Sequence, residues 1–434
     1  MRRKIVLIGA GSAMFTKGLI LDIIERRDEQ WHIALVDTDA RTLEIIKRVC
    51  EKMIAQTASD TELSASTDRC DVLPGADYVV STIGVGGRRA WEQDVFIPRK
   101  YGVFQPVGDT VGPGGMSRAM RMIPQLIDIA NDVKKLCPKA VFINYSNPMT
   151  MNCMAVRRAT GVPVVGLCHG VRDGRRTLSK FLNIPQDEIS LTACGLNHMI
   201  FCYHIRRNTK DIFPDFVKKL DETPAEGRSI GELTESYVRR YHTYLASDDR
   251  HFTEFVPELT AEGAYFGKTL GVDAFSFEEC IRGGDEEFAR YEAYAATDAP
   301  LPQTFFEREA GEHEELMQMI SAMHEDRPAV FYANLPNNGA IANIPDCTVI
   351  ERPTLFSGSG LQPMQLPDFP AYLLPPTMHF AAVYEVAVEA ALHGDRRMLE
   401  CAIEASTRPI GREAVHRMTE ELLAAHKAYL PQFA

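Results

Sequence analysis

The sequence predicts an α/β protein: a doubly wound parallel sheet at the N-terminus, followed by a mixed α/β domain. Three observations predict it. Short apolar runs recur between helical segments: KIVLI at 4–8, WHIALVD at 31–37, ADYVVSTIG at 76–84, AVFINYSNP at 140–148 and VPVVGL at 162–167. Runs with so little polar alternation suit strands buried on both faces, as in a parallel sheet covered by helices. The glycine turn GAGS follows the first run at once. Past residue 190 the pattern loosens into alternating strands and then helices, so the domains are expected at 1–170 and 171–434.

In order along the chain, TKGLILDIIERR predicts a helix from Thr16, and DARTLEIIKRVCEKMIAQT a long amphipathic one. The stretch 84–121, rich in Gly and Pro, reads as a long functional loop holding Arg88, Arg89, Asp94 and Asp109. ISLTACGLNHMIFCYHIRR predicts antiparallel strands, and residues 208–300 read as helical in pieces. From residue 327 strands and turns return around an NNG turn, and from Met378 the chain is helical.

The totals narrow the function classes. The 434 residues are 45% hydrophobic and 24% charged, with net charge −12 and no basic stripe, which argues against nucleic acid. No run approaches the roughly 20 apolar residues of a membrane span, and MRRKIVLIGAGS lacks a signal-peptide core. Ten scattered cysteines suit reduced thiols. A soluble cytoplasmic protein is expected.

The chemistry starts at the glycine turn. Gly9 and Gly11 allow a tight turn beside a pyrophosphate, and Ser12 and Phe15 open the helix whose N-terminus would face it. Met14 stands where the usual fingerprint has its third glycine. Asp37 ends the second strand, where an acid accepts from ribose hydroxyls and disfavours the phosphate of NADP. NAD is therefore the expected cofactor. A lactate- or malate-type dehydrogenase would share this framework, including its mixed second domain. Asn147, held extended before Pro148, ends the run AVFINYSNP on the ligand-binding edge. Cys168, and the distant pair Asn197 and His198, make a weak metal signal by spacing alone.

Taken together, GAGSAMFTK, DVFIPRKYGVFQPVGDTVGPGG, NYSNPM, GLCHGV, GLNHM and NLPNNGAIANIP resemble glycoside hydrolase family 4, whose members are NAD- and metal-dependent glycosidases. The resemblance implies oxidation of the sugar at C3 by NAD+, deprotonation at C2 assisted by a divalent metal such as Mn2+, elimination from C1, addition of water and return of the hydride. It makes Cys168 and His198 metal ligands and Asn147 a partner of the sugar hydroxyls. His169 falls where some relatives carry the acid for the leaving oxygen. Asp249 is the expected C2 base, with Asp248 or Tyr265 in reserve. Asp109 would touch the sugar or position its loop. Arg88, Asn197, Arg250 and His251 complete the expected substrate contacts, the last two suiting a uronate carboxylate.

His169–Gly170 after the cysteine points away from 6-phosphosugars. The implied substrates are α-glucuronides or α-galacturonides, with neutral α-galactosides or α-glucosides as the alternative. Members of the family are dimers or tetramers, so a homodimer or homotetramer is expected. Two other classes stay open on the residues alone: a metal-independent NAD dehydrogenase of a sugar or hydroxy acid, and a catalytically inactive sensor.

Overall fold

The computed structural model describes residues 2–26, 29–224, 228–307, 315–366 and 368–433. The N-terminal elements are β1 (Arg3–Ile8), α1 (Ala13–Ile24), β2 (Trp31–Val36), α2 (Ala40–Thr57), β3 (Glu62–Ser66), β4 (Tyr78–Ser81), α3 (Gly87–Lys100), α4 (Gly112–Leu136), β5 (Val141–Asn144), α5 (Met149–Thr160) and β6 (Val165–Gly166). Their strands lie in the order β3-β2-β1-β4-β5-β6, all parallel. This is the doubly wound Rossmann arrangement, and its order reverses between β1 and β4, where such sheets bind ligands. The predicted runs are strands because both faces are covered: Val6 and Val79 pack into one core cluster, Ile5 and Val80 into the other.

The sheet does not stop at residue 170. Strand 329–336 pairs antiparallel with β6 through Asn334 and Gly166, and strand 349–357 pairs with 329–336. After α6 (Gly170–Leu182), the hairpin of β7 (Ile189–Leu196) and β8 (Met199–Arg207) joins the far side, Gly195 opposite Glu351. Helices 374–393, 396–406 and 412–425 close the chain, the first packed on α4 and α5. Among the described residues no helix is long and apolar enough to cross a membrane.

Three expectations need correction. The stretch 84–121 is not a long loop: α3 and α4 occupy most of it, leaving 101–111 between them. Ala90, Asp94, Val95, Ile97 and Pro98 form one buried face of α3, and Pro113 enters α4 in its first turn, where its missing N–H costs nothing. Asp94 is accordingly no loop residue. It is buried and bonded to Arg121, Ser117 and His426, tying α3, α4 and the C-terminus together. α1 begins at Ala13, capped by Ser12, three residues before the expected start. The sequence reading also missed β3, an edge strand whose ELSAS carries no apolar run.

Candidate active site

The dinucleotide crevice follows from the turn after β1. Gly9 has φ +89°, and a Cβ there would lie 2.8 Å from the Ile83 nitrogen, so only glycine fits. The Gly11 N–H donates to Asp37 Oδ2 at 2.8 Å, and the Asp39 N–H to Oδ1 at 3.0 Å. The Asp37 carboxylate stays half-exposed and can also accept from ribose hydroxyls. Ser12 caps α1, whose first N–H groups and dipole face the crevice, and the Phe15 ring lies against Tyr145 at 5.8 Å. These residues fit a bound NAD.

Beyond β5, three segments distant in sequence converge. Ligand atoms of Asp109, His198 and His251 all lie within 4.8 Å of one another. Asp109 comes from the loop before α4, His198 from the β7–β8 turn at φ +67°, and His251 from the short helix Asp249–Phe252. The two imidazoles overlap at 4.0 Å between centroids. Thr110 Oγ1 donates to Asp109 Oδ1 at 2.7 Å and lies 2.9 Å from His198 Nδ1. With its single proton on Asp109, the hydroxyl must accept from Nδ1–H. That tautomer leaves the lone pair of His198 Nε2 free for a metal.

Burial above all, with His251 alongside, holds the His198 imidazole well below its ordinary pKa. Burial opposes ionisation of Asp109, but His251, Arg118 and the Thr110 bond keep its carboxyl below the usual range. A neutral imidazole and an ionised carboxylate are the forms that bind a cation. One oxygen and two nitrogen donors suit Mn, Fe, Co, Ni or Zn.

Asn147 joins the two halves of the site. Its amide donates to Asp109 Oδ2 at 2.8 Å, and its carbonyl accepts from Arg118 Nε at 3.1 Å. Glu254, buried and pushed up to about 8 by burial, accepts from the Val107 and Gly108 N–H groups at 2.6 and 2.7 Å. It thereby clamps the Asp109 loop to the turn carrying His251. Arg118 and Glu254 escaped the sequence reading. Glu254 has no motif to mark it, and Arg118 was hidden in a presumed loop.

The other expected residues fall elsewhere. Cys168, half-buried after β6, is not part of the three-residue cluster, though its Sγ lies 3.7 Å from where a Gly170 Cβ would be. His169 is at the start of α6, 3.7 Å from Asp173, and close enough to act on the His198 charge. Asp249 is turned away from the cluster. Its carboxylate accepts from Leu233 N–H, Thr234 N–H, the Thr234 hydroxyl and the Tyr265 hydroxyl, at 2.6–2.9 Å. Burial raises its pKa against those bonds. Tyr265 is thus committed to Asp249, and Asp248 caps the short helix by accepting from the His251 N–H.

Asn197, expected at the sugar, is fully buried with its amide on Glu351 at 3.0 Å. Arg88 pairs with Asp285 at the surface, and Arg250 donates to the Pro106 and Ser276 carbonyls, because each finds its nearest acceptor there.

The family model of "Family 4 glycosyl hydrolase" matches residues 4–184, and that of its C-terminal domain residues 193–407. An α-galacturonidase of Thermoanaerobacterium saccharolyticum is 31% identical over 84% of this chain and 83% of its own. An α-galactosidase of Rhizobium meliloti is 29% identical over 99% of this chain and 90% of its own. A 6-phospho-α-glucosidase from gut microorganisms, solved with NAD and Mn2+, superimposes with TM-score 0.87 at 18% identity over the whole of both chains. The chain belongs to family 4 of the glycosyl hydrolases.

Proposed function

We propose that this chain hydrolyses unphosphorylated α-glycosides through transient oxidation of the sugar at C3. NAD+ would occupy the crevice at Gly9, Gly11 and Asp37, within the 1–170 portion. A divalent metal, Mn2+ first, would be held by His198 and Cys168, as the resemblance implies, and by Asp109 and His251, which the geometry adds. One observation carries the reading: from the three-residue cluster a hydrogen-bonded row runs from Asp109 through Asn147 to Arg118, which lies beside Gly84 at the end of β4, the strand next to the glycine turn.

When bound, NAD+ would supply hydride transfer at the sugar and the metal would supply Lewis acidity toward its oxygens. The protein supplies the rest. Asp109, kept ionised, balances cationic charge, and His198 stays neutral and aimed by Thr110. Asn147 fixes Asp109 and lines the path between crevice and cluster. His169, half-exposed at the start of α6, gives a proton to the leaving oxygen. Asp249 we assign to holding the turn that carries His251, since its oxygens are already occupied.

The preferred substrates are α-galacturonides and α-glucuronides, a preference that the 31% identical α-galacturonidase supports. Neutral α-galactosides are the second reading, which the R. meliloti α-galactosidase supports. A cytoplasmic homodimer or homotetramer belongs to the same proposal. Nitrophenyl α-glycosides and α-uronides, assayed with and without Mn2+, NAD+, chelator and reductant, test it. Release of nitrophenol should need both metal and NAD+ without net NADH formation. Turnover indifferent to chelator, or none on any α-glycoside, sinks the reading.

A further inference from the structure

Arg118 is the donor at the end of the row, and among the described residues its outer amino groups have no acceptor. It projects from the second turn of α4, half-buried. Its Nε is spent on the Asn147 carbonyl, and its guanidinium carbon lies 5.8 Å from the Trp91 ring centroid. Trp91 is itself fixed, its Nε1 donating to the Val107 carbonyl at 2.7 Å. Beneath it, Arg121 and Asp94 anchor α4. Among the described residues nothing accepts from Arg118 Nη1 or Nη2. Nη2 lies 3.9 Å from where a Cβ on Gly84 would be, beside the end of β4. The open end of a rigid, permanently charged fork therefore sits between the dinucleotide crevice and Asp109.

We propose that Arg118 is a further catalytic residue, whose two free amino groups hydrogen-bond the sugar oxygen that becomes anionic when the C2 proton leaves. This rests on the proposed function and deepens it. In the step concerned, the C2–H bond of the 3-keto sugar breaks and its proton goes to a base. The bonding pair forms C2=C3, and the ketone π pair moves onto O3, which becomes an oxyanion. When the C1–O bond then breaks, that pair returns to C3=O, C1=C2 forms, and the leaving oxygen takes a proton. The extra charge exists only in the middle of this sequence. A donor already fixed in place before the charge appears favours the transition state over the bound sugar, which raises kcat and leaves KM nearly alone. The Asn147 carbonyl holds the guanidinium by its Nε, and the charge of Asp109 acts on it from a distance, so its outer face stays unfilled.

The test uses full-length protein loaded with Mn2+ and NAD+. Arg118→Met should lower kcat on the responsive nitrophenyl glycoside by about 10²–10³-fold, the usual loss of an oxyanion donor. KM should change by less than about threefold. Deuterium entering C2 from D2O should fall with kcat, while NAD+ affinity and Tm stay at the wild-type values. Arg118→Lys, which keeps the charge and loses the fork, should fall between the two. A rise in KM at unchanged kcat, or a parallel loss of NAD+ affinity, overturns the proposal, because either marks a binding or folding role. Calorimetry with oxalate, a planar oxyanion, separates this failure from that of the glycosidase reading. If no glycoside is cleaved yet oxalate binds Arg118→Met roughly tenfold more weakly than wild type, the anion-holding role stands and the glycosidase reading falls. Equal oxalate affinity removes Arg118 from any such role.

Discussion

Asp109 and Asp249 are both buried aspartates near His251, one in the loop before α4 and one at the start of the short helix that carries His251, and they do opposite work. Asp109 takes one neutral donor on each oxygen, from Thr110 and Asn147. Asp249 takes two on each, from two backbone N–H groups and two hydroxyls. A carboxylate offers about four lone-pair sites. Asp109 has half of them left and faces two imidazoles; Asp249 has none left and faces a helix N-terminus. The difference teaches that burial alone does not mark a chemical acid. Unfilled acceptor capacity beside other ligand atoms does.

Removing the open acid should cost most. Asp109→Asn replaces an acceptor with an NH2 that cannot ligate, and Mn2+ affinity should fall by about 100-fold or more, with activity following. Calorimetric titration of metal into the NAD-loaded variant reads it; an unchanged Kd would remove Asp109 from the ligand set. Cys168→Ser sharpens the same boundary from outside the cluster. With Co2+ in place of Mn2+, a thiolate ligand gives a charge-transfer band in the near ultraviolet. The band should vanish in the variant and Co2+ affinity should drop by about 10-fold. Identical spectra would leave Asp109, His198 and His251 as the whole protein contribution.

The filled acid should fail differently. Asp249→Asn turns one acceptor into a donor facing N–H or O–H groups and should cost about 1–3 kcal/mol of stability. Activity per folded molecule at 25 °C should remain within about threefold of wild type. A collapse of kcat with no change in Tm would return Asp249 to the role of base and erase the contrast.

The sequence reveals the two regions of the site unequally, for a physical reason. Gly9, Gly11, Ser12 and Asp37 belong to one β-turn-α-β unit, so spacing along the chain reports their spacing in space. The parallel sheet was legible in the same way, through its unbroken apolar runs. The cluster is assembled from residues 109, 198 and 251, and no local pattern encodes the meeting of three segments that far apart. The family motifs brought His198 and Asp109 to notice, but not that His251 would join them. The Gly/Pro stretch misled because helix propensity was read without its buried face. Once Ala90, Asp94, Val95 and Ile97 are seen to share one side, α3 is unavoidable, and Arg118 moves from a supposed loop onto a rigid helix.

Glu351 extends the comparison to an acid filled on one side only. Asn197 and Asn334 both donate to its Oε2, at 3.0 and 3.1 Å, while Oε1 and both amide oxygens have no partner. A proton on Oε1 would supply the missing donor, and burial pushes the pKa from 4.5 to about 7, against the two amide bonds. The sign follows. Between pH 4.5 and about 7 the folded chain keeps a proton that the unfolded chain has released, so this group's contribution to stability falls as pH rises and levels off above about 7. Glu351→Gln carries a permanent donor at the same place and cannot titrate. Its Tm should lose that slope, so that between pH 5 and 7.5 the variant gains at least about 3 °C on the wild type. Parallel Tm profiles would mean that Glu351 is already ionised at the acid end, and that an unpaired carboxylate oxygen, not a shared proton, lies beneath the turn that carries His198.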